Sequence, residues 1–198
     1  EKPVKPQSFL GLSAIAASMA GGTAFAQPIA DPPATAEVQI TASSLAACEI
    51  KGTFVAINVG DMLNKSNGGL NASTVNGKST SISGTVLCNG VNSTLEVTAA
   101  PITALNALPP DADKAGFTNQ VDYTATASLS GGVSSEGAFA IADKSGVVGG
   151  TSSKVGLLTA NAGQFVVTLS DAALPGSAKY LMADKYSGSV TLTLAGVL

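Results

Sequence analysis

The chain has 198 residues, enough for one domain of ordinary size, with 12% charged residues and a formal net charge of −3. Its ten basic residues are all lysines and it has no histidine, which argues against nucleic-acid binding and removes imidazole from any triad or metal site. Low charge with a positive mean hydropathy suits a protein that buries much of its surface in an assembly.

Residues 1–26 read as a secretion signal. Lys2 and Lys5 give a basic start, Phe9 to Ala26 is apolar and uncharged, and Ala24-Phe25-Ala26 supplies a small-x-small cleavage pattern. A transmembrane anchor is the competing reading, but the stretch is rich in Ala, Gly and Ser and marginal in length. Cleavage after Ala26 leaves eight lysines against twelve acids. Residues 27–44 form a leader that opens with Pro28, Pro32 and Pro33, which favour an extended chain. From Thr35 the pattern alternates strictly. Ala36, Val38, Ile40 and Ala42 face one way, and Thr35, Glu37, Gln39 and Thr41 face the other. The alternation alone leaves two readings: the first strand of its own domain, or a strand lent to a neighbour.

Residues 45–198 carry the same β signature. Strands are expected at 45–50, 53–59, 79–88, 93–100, 120–129, 137–142, 154–159, 164–170, 178–183 and 187–195, rich in Thr, Val and Ser. Turn clusters separate them, among them Asn67-Gly68-Gly69, Asn76-Gly77, Asn89-Gly90, Gly131-Gly132, Gly149-Gly150 and Pro175-Gly176. Only residues 106–114 and 170–174 could hold a helical turn. Many short strands with Gly turns predict an all-β sandwich. Cys48 and Cys88 most simply form one disulfide in an exported chain, with two free thiols as the other reading. Such a bridge contributes roughly 4 kcal/mol at most by the chain-entropy argument. The last strand puts Val190, Leu192 and Leu194 on its core face and has no successor, which leaves a sheet edge to be paired or covered.

No catalytic constellation is present, so no enzyme activity, cofactor or metal is expected. Ser152-Ser153-Lys154 and Lys144-Ser145 fall in turns, Gly149-Gly150-Thr151-Ser152-Ser153-Lys154 lacks the phosphate-loop order, and Asp111, Asp113 and Asp122 lack the calcium-loop spacing. Asn64, Asn71 and Asn92 fit the glycosylation acceptor pattern, which arises easily in a chain rich in Asn, Ser and Thr.

Several segments, in order, resemble the spore coat U family of β-sandwich pilins, subunits of archaic chaperone–usher pili. They are the strand Ala36–Ala42, then Ala46-Ala47-Cys48-Glu49-Ile50, Ile57-Asn58-Val59-Gly60-Asp61, Ser81-Ile82-Ser83-Gly84-Thr85-Val86-Leu87-Cys88, and the close from Asp184 to Leu194. Residues 101–170 match only in general β character. Val59 stands where the family usually has an aromatic, and Ala183 where a Gly is common. The resemblance implies an incomplete immunoglobulin-like fold completed by the N-terminal strand of the next subunit, with Ala36, Val38, Ile40 and Ala42 as inserted side chains. Chaperone–pilin pairing is an established example of strand addition. Burial of Val38 and Ile40 would add on the order of 1.5–3 kcal/mol each. The implied partners are other copies of the chain, a periplasmic chaperone and an outer-membrane usher. The implied location is the cell surface, in a pilus that touches a host or abiotic surface and supports biofilm. The alternative is a tip adhesin or secreted binding module. Only residues 43–47 separate the strand from Cys48, so adjacent domains would be held close.

Overall fold

The computed structural model describes Ala42 and residues 44–197. The expected signal, most of the leader, and the donor positions Ala36, Val38 and Ile40 lie outside the described residues; Ala42 is exposed and in no strand. The strands are β1 (Cys48–Lys51), β2 (Ser79–Ser81), β3 (Thr85–Cys88), β4 (Thr94–Ala104), β5 (Phe117–Thr118), β6 (Gln120–Leu129) and β7 (Val133–Ser134). They continue with β8 (Ala140–Lys144), β9 (Thr151–Lys154), β10 (Leu158–Ala160), β11 (Phe165–Ala173), β12 (Tyr180–Leu181) and β13 (Tyr186–Ala195). One 3-10 turn spans Ala72–Thr74.

The smaller sheet has the order β1-β3-β10-β7, and the larger the order β13-β4-β6-β11-β2; both are antiparallel. A short parallel pair, β5 and β12, lies apart. The two sheets share one core. Val86, Leu158 and Ala160 enter it from the smaller sheet, and Leu95, Val97, Val121, Ala125 and Val167 from the larger. β6 shows why these residues form strands. Val121, Tyr123, Ala125 and Ala127 are buried, while the residues between them are partly exposed, so every second side chain gains burial. The arrangement agrees with the expected all-β sandwich.

The segment expected as one strand at 79–88 is two strands in two sheets. β2 pairs with β11 in the larger sheet and β3 with β1 and β10 in the smaller. The chain crosses at Gly84, where any side chain would overlap the Lys51 carbonyl. Such corners are how a strand switches sheets. The expected strand at 154–159 is likewise divided between β9 and β10, and that at 178–183 shrinks to β12. Residues 106–114 form turns rather than a helix, and 170–173 belong to β11. Strand 53–59 does not form: its one β contact is the bridge from Phe54 to Ile82.

The larger sheet forks. β4 pairs with β6 only at Ile102–Val121 and Thr103–Gln120 and then departs from it. The β8–β9 segment fills the wedge, β8 pairing with β6 and β9 with β4. Asp143 on β8 is buried at the fork. Its carboxylate accepts the Ala99 N–H at 2.8 Å and the Thr151 hydroxyl at 3.0 Å, so a β4 donor that lost its ladder partner is satisfied by a side chain.

Cys48 and Cys88 are disulfide-bonded and face each other in the β1–β3 ladder, closing a loop with a sequence separation of 40. The bridge suits an oxidising compartment. Among the described residues no helix is long and apolar enough to cross a membrane.

Candidate functional site

β13 ends the larger sheet. It pairs with β4 along one edge, and among the described residues no strand pairs with the other. In an antiparallel ladder every second residue directs its N–H and C=O away from its neighbour, so the outer edge of β13 presents a row of main-chain groups. The ladder is interrupted once, where Gly188 of β13 faces Pro101 and Ile102 of β4. Pro101 has no N–H to give, and a side chain at Gly188 would lie 3.0 Å from Ile102 Cγ1 and 3.1 Å from the Pro101 carbonyl. Tyr123 pins this irregular point from below, its hydroxyl donating to the Ser189 carbonyl at 3.0 Å. Burial, with the nearby Asp143 charge, pushes the Tyr123 phenol up to about 12.

Beside this edge lies a cleft of about 630 Å³. Ile102, Tyr123, Val167 and Leu169 form its floor, from β4, β6 and β11. One wall is β13 from Tyr186 to Leu192, and the other is Ile50 with residues 54–57 and Val59. None of the lining residues is charged. The far wall contains the segment expected as a strand at 53–59. It has strand composition but no ladder; the Val55 carbonyl accepts from the Thr80 hydroxyl at 2.8 Å, and Gly60 N–H donates to the Asn58 side chain at 2.9 Å. The unpaired edge of β13 and an unladdered segment thus line opposite sides of an apolar floor. The arrangement can accept an extended, apolar chain by main-chain hydrogen bonding and side-chain burial.

Past Tyr186 the cleft continues into a second hollow of about 780 Å³, lined by residues 56–63 and 181–186. Its rim is polar. The N–H of Leu63 and the Lys65 side chain hold the Asp61 carboxyl below its usual range, and the N–H groups of Asn106 and Lys185 do the same for Asp184. Tyr186 donates to the Met182 carbonyl at 2.6 Å, and its phenol is pushed up to about 12 by burial and by Asp184.

Of the residues singled out as the acceptor face, Val190 and Leu192 line the cleft and are half-buried. Leu194 packs against the core and does not line the cleft. Sequence reasoning missed the floor and the fork. Tyr123 carries a signal, a large polar-tipped residue in a row of small inward-facing ones, Ala125 and Ala127. So does Asp143, an acid in step with the inward-facing Ile141. Asp111 pairs with Lys114, and Asp122 accepts from the Gln120 side chain at 2.7 Å. Among the described residues no three His, Cys, Asp or Glu side chains gather where a metal ion could be held.

Compared with known proteins, the chain matches no family model, no curated protein and no solved structure.

Proposed function

We propose that this chain is a structural pilus subunit that polymerises by donor-strand exchange. The described domain is then an immunoglobulin-like sandwich short of one strand, and the segment Thr35–Ala42 of another copy supplies it, with Ala36, Val38, Ile40 and Ala42 turned to the floor. The observation that carries this reading is the unpaired outer edge of β13 facing an uncharged cleft whose opposite wall is also unladdered. The lengths agree. Eight extended residues span about 27 Å and the seven residues from Tyr186 to Leu192 about 23 Å. Two further features support it, the disulfide expected of an exported protein and the alternating segment upstream of Cys48. On this reading a periplasmic chaperone covers the cleft before an outer-membrane usher exchanges it for the next subunit, and the product is a surface filament used in adhesion and biofilm formation.

The test is removal of residues 27–44 from the mature chain. The truncated subunit should fold and form no filaments in electron micrographs; filaments from it would falsify the proposal.

A second reading, a tip adhesin or binding module, draws on one observation. Phe117 and Tyr180 pack together with ring centroids 5.1 Å apart and planes tilted by 40°, and remain 41% and 38% exposed. Exposed aromatics mark recognition surfaces. Glycan binding that Phe117→Ala abolishes, with no self-assembly of the intact chain, would favour it.

A further inference from the structure

Asn89 holds the root of the domain, where the chain joins β1. Its Oδ1 accepts the Ala47 N–H at 2.6 Å, its Nδ2 donates to the Leu45 carbonyl at 3.1 Å, and its own N–H donates to the Ala47 carbonyl at 3.1 Å. These bonds carry the β1–β3 pairing beyond Cys48. Gly196 backs onto the same segment, since a side chain there would lie 3.1 Å from Ala47 N and C. Leu45, Ala46 and Ala47 therefore belong to the folded domain rather than to a free link. A strand that ends at Ala42 is then three peptide steps from clamped chain, a reach of at most about 11 Å; without the clamp the six steps to Cys48 reach about 22 Å.

That short reach decides what touches what. A copy whose strand lies beside β13 of its neighbour must bring its root against that neighbour, and the root exposes Leu45, Val91 and Val197. At the Leu194 end the neighbour's own Ala47 and Gly196 already pack together. At the Tyr186 end the cleft opens into the second hollow.

On the strength of the donor-strand reading, we propose that Asn89 is a positioning residue for assembly, and that the root of one copy seats in the Tyr186-end hollow of the next. The partner of this surface is a second copy of the same chain. The donated strand must then run antiparallel to β13, leaving the cleft beside Tyr186.

Two measurements on filaments of the mature chain test this. Asn89→Ala filaments should still form but bend more, with a shorter persistence length and a wider spread of subunit rise. A chain carrying both Val91→Cys and Met182→Cys should give a ladder of covalent multimers on oxidation in the filament, and none as a monomer. Asn89→Ala filaments as stiff as wild type, with no ladder from the cysteine pair, overturn the proposal. A ladder from Val91→Cys with Leu194→Cys in place of Met182→Cys overturns it too, by assigning the wrong end. A peptide of residues 35–42, added to the chain lacking residues 27–44, separates the two readings. If the peptide binds and the clamp variants behave as wild type, only the joint falls. If it does not bind, the donor-strand reading falls and takes the joint with it.

Discussion

Between β4 and β6 the larger sheet splits and the chain fills the split itself; beside β13 the sheet stops and no described strand continues it. At the fork β8 and β9 supply two ladders, and Asp143 caps the Ala99 N–H that neither reaches. Beside β13 the facing residues 55–59 have the Val and Ile of a strand and remain unladdered. The two gaps differ in whether the missing partner is encoded within the described domain. Main-chain groups at a sheet edge need partners in either case. One gap is therefore closed within the monomer, while the other leaves a sheet edge open among the described residues.

The largest expected effect breaks the closed gap. Asp143→Ala leaves the buried Ala99 N–H without its acceptor and should cost about 3 kcal/mol in chemical denaturation. Affinity of the chain lacking residues 27–44 for a 35–42 peptide should stay unchanged, because Asp143 does not line the cleft. A parallel loss of affinity would show the two gaps to be one cooperative unit.

Filling the open gap should stabilise by a comparable amount. At one hundred times its dissociation constant the same peptide should raise stability by about 2.7 kcal/mol, read from the denaturation midpoint; a midpoint that stays put contradicts the contrast. Leu192→Ala removes a half-buried wall of the cleft. It should weaken the peptide roughly tenfold, equal to about 1.4 kcal/mol, in a titration by calorimetry.

The smallest effect is a pH dependence. Tyr123 and Tyr186 stay protonated in the folded chain up to about 12, against an ordinary value of 10.0. The folded state keeps a proton that the unfolded state has lost, so stability is complete below pH 10 and falls between 10 and about 12. Tyr123→Phe should flatten its share of that fall. An unaltered slope across this window would mean that the Tyr123 phenol is not buried beside Asp143 as described.

Much of the larger sheet was legible in the sequence because its strands bury one face. The expected strand at 120–129 coincides with β6, and 187–195 misses β13 by one residue. Alternation reports burial of a face, not the identity of a neighbour. That is why 53–59 was expected as a strand and is none, and why 79–88 was expected in one sheet and lies in two. Asp143 in Ala-Asp-Lys looks like a surface turn until Ala99, 44 positions away, is brought beside it. Asn89 reads as a turn residue; it directly follows β3, and its side chain works on Leu45 and Ala47. The inward placement of Val190 and Leu192 was legible because their alternation runs along the last strand; the cleft floor beside them, drawn from three other strands, had no local signature.

The disulfide also determines how the domain bears load. β1 is an edge strand joined to β3 by a four-residue ladder. A pull on the chain at Leu45, along a strand held by hydrogen bonds alone, would open that ladder pair by pair. The Cys48–Cys88 bond sits at the first of those pairs. Tension therefore bypasses the ladder and enters β3, which β1 and β10 flank on both sides. The bridge acts as a rivet at the head of a zipper, and its reduction should lower the force needed to peel β1 away.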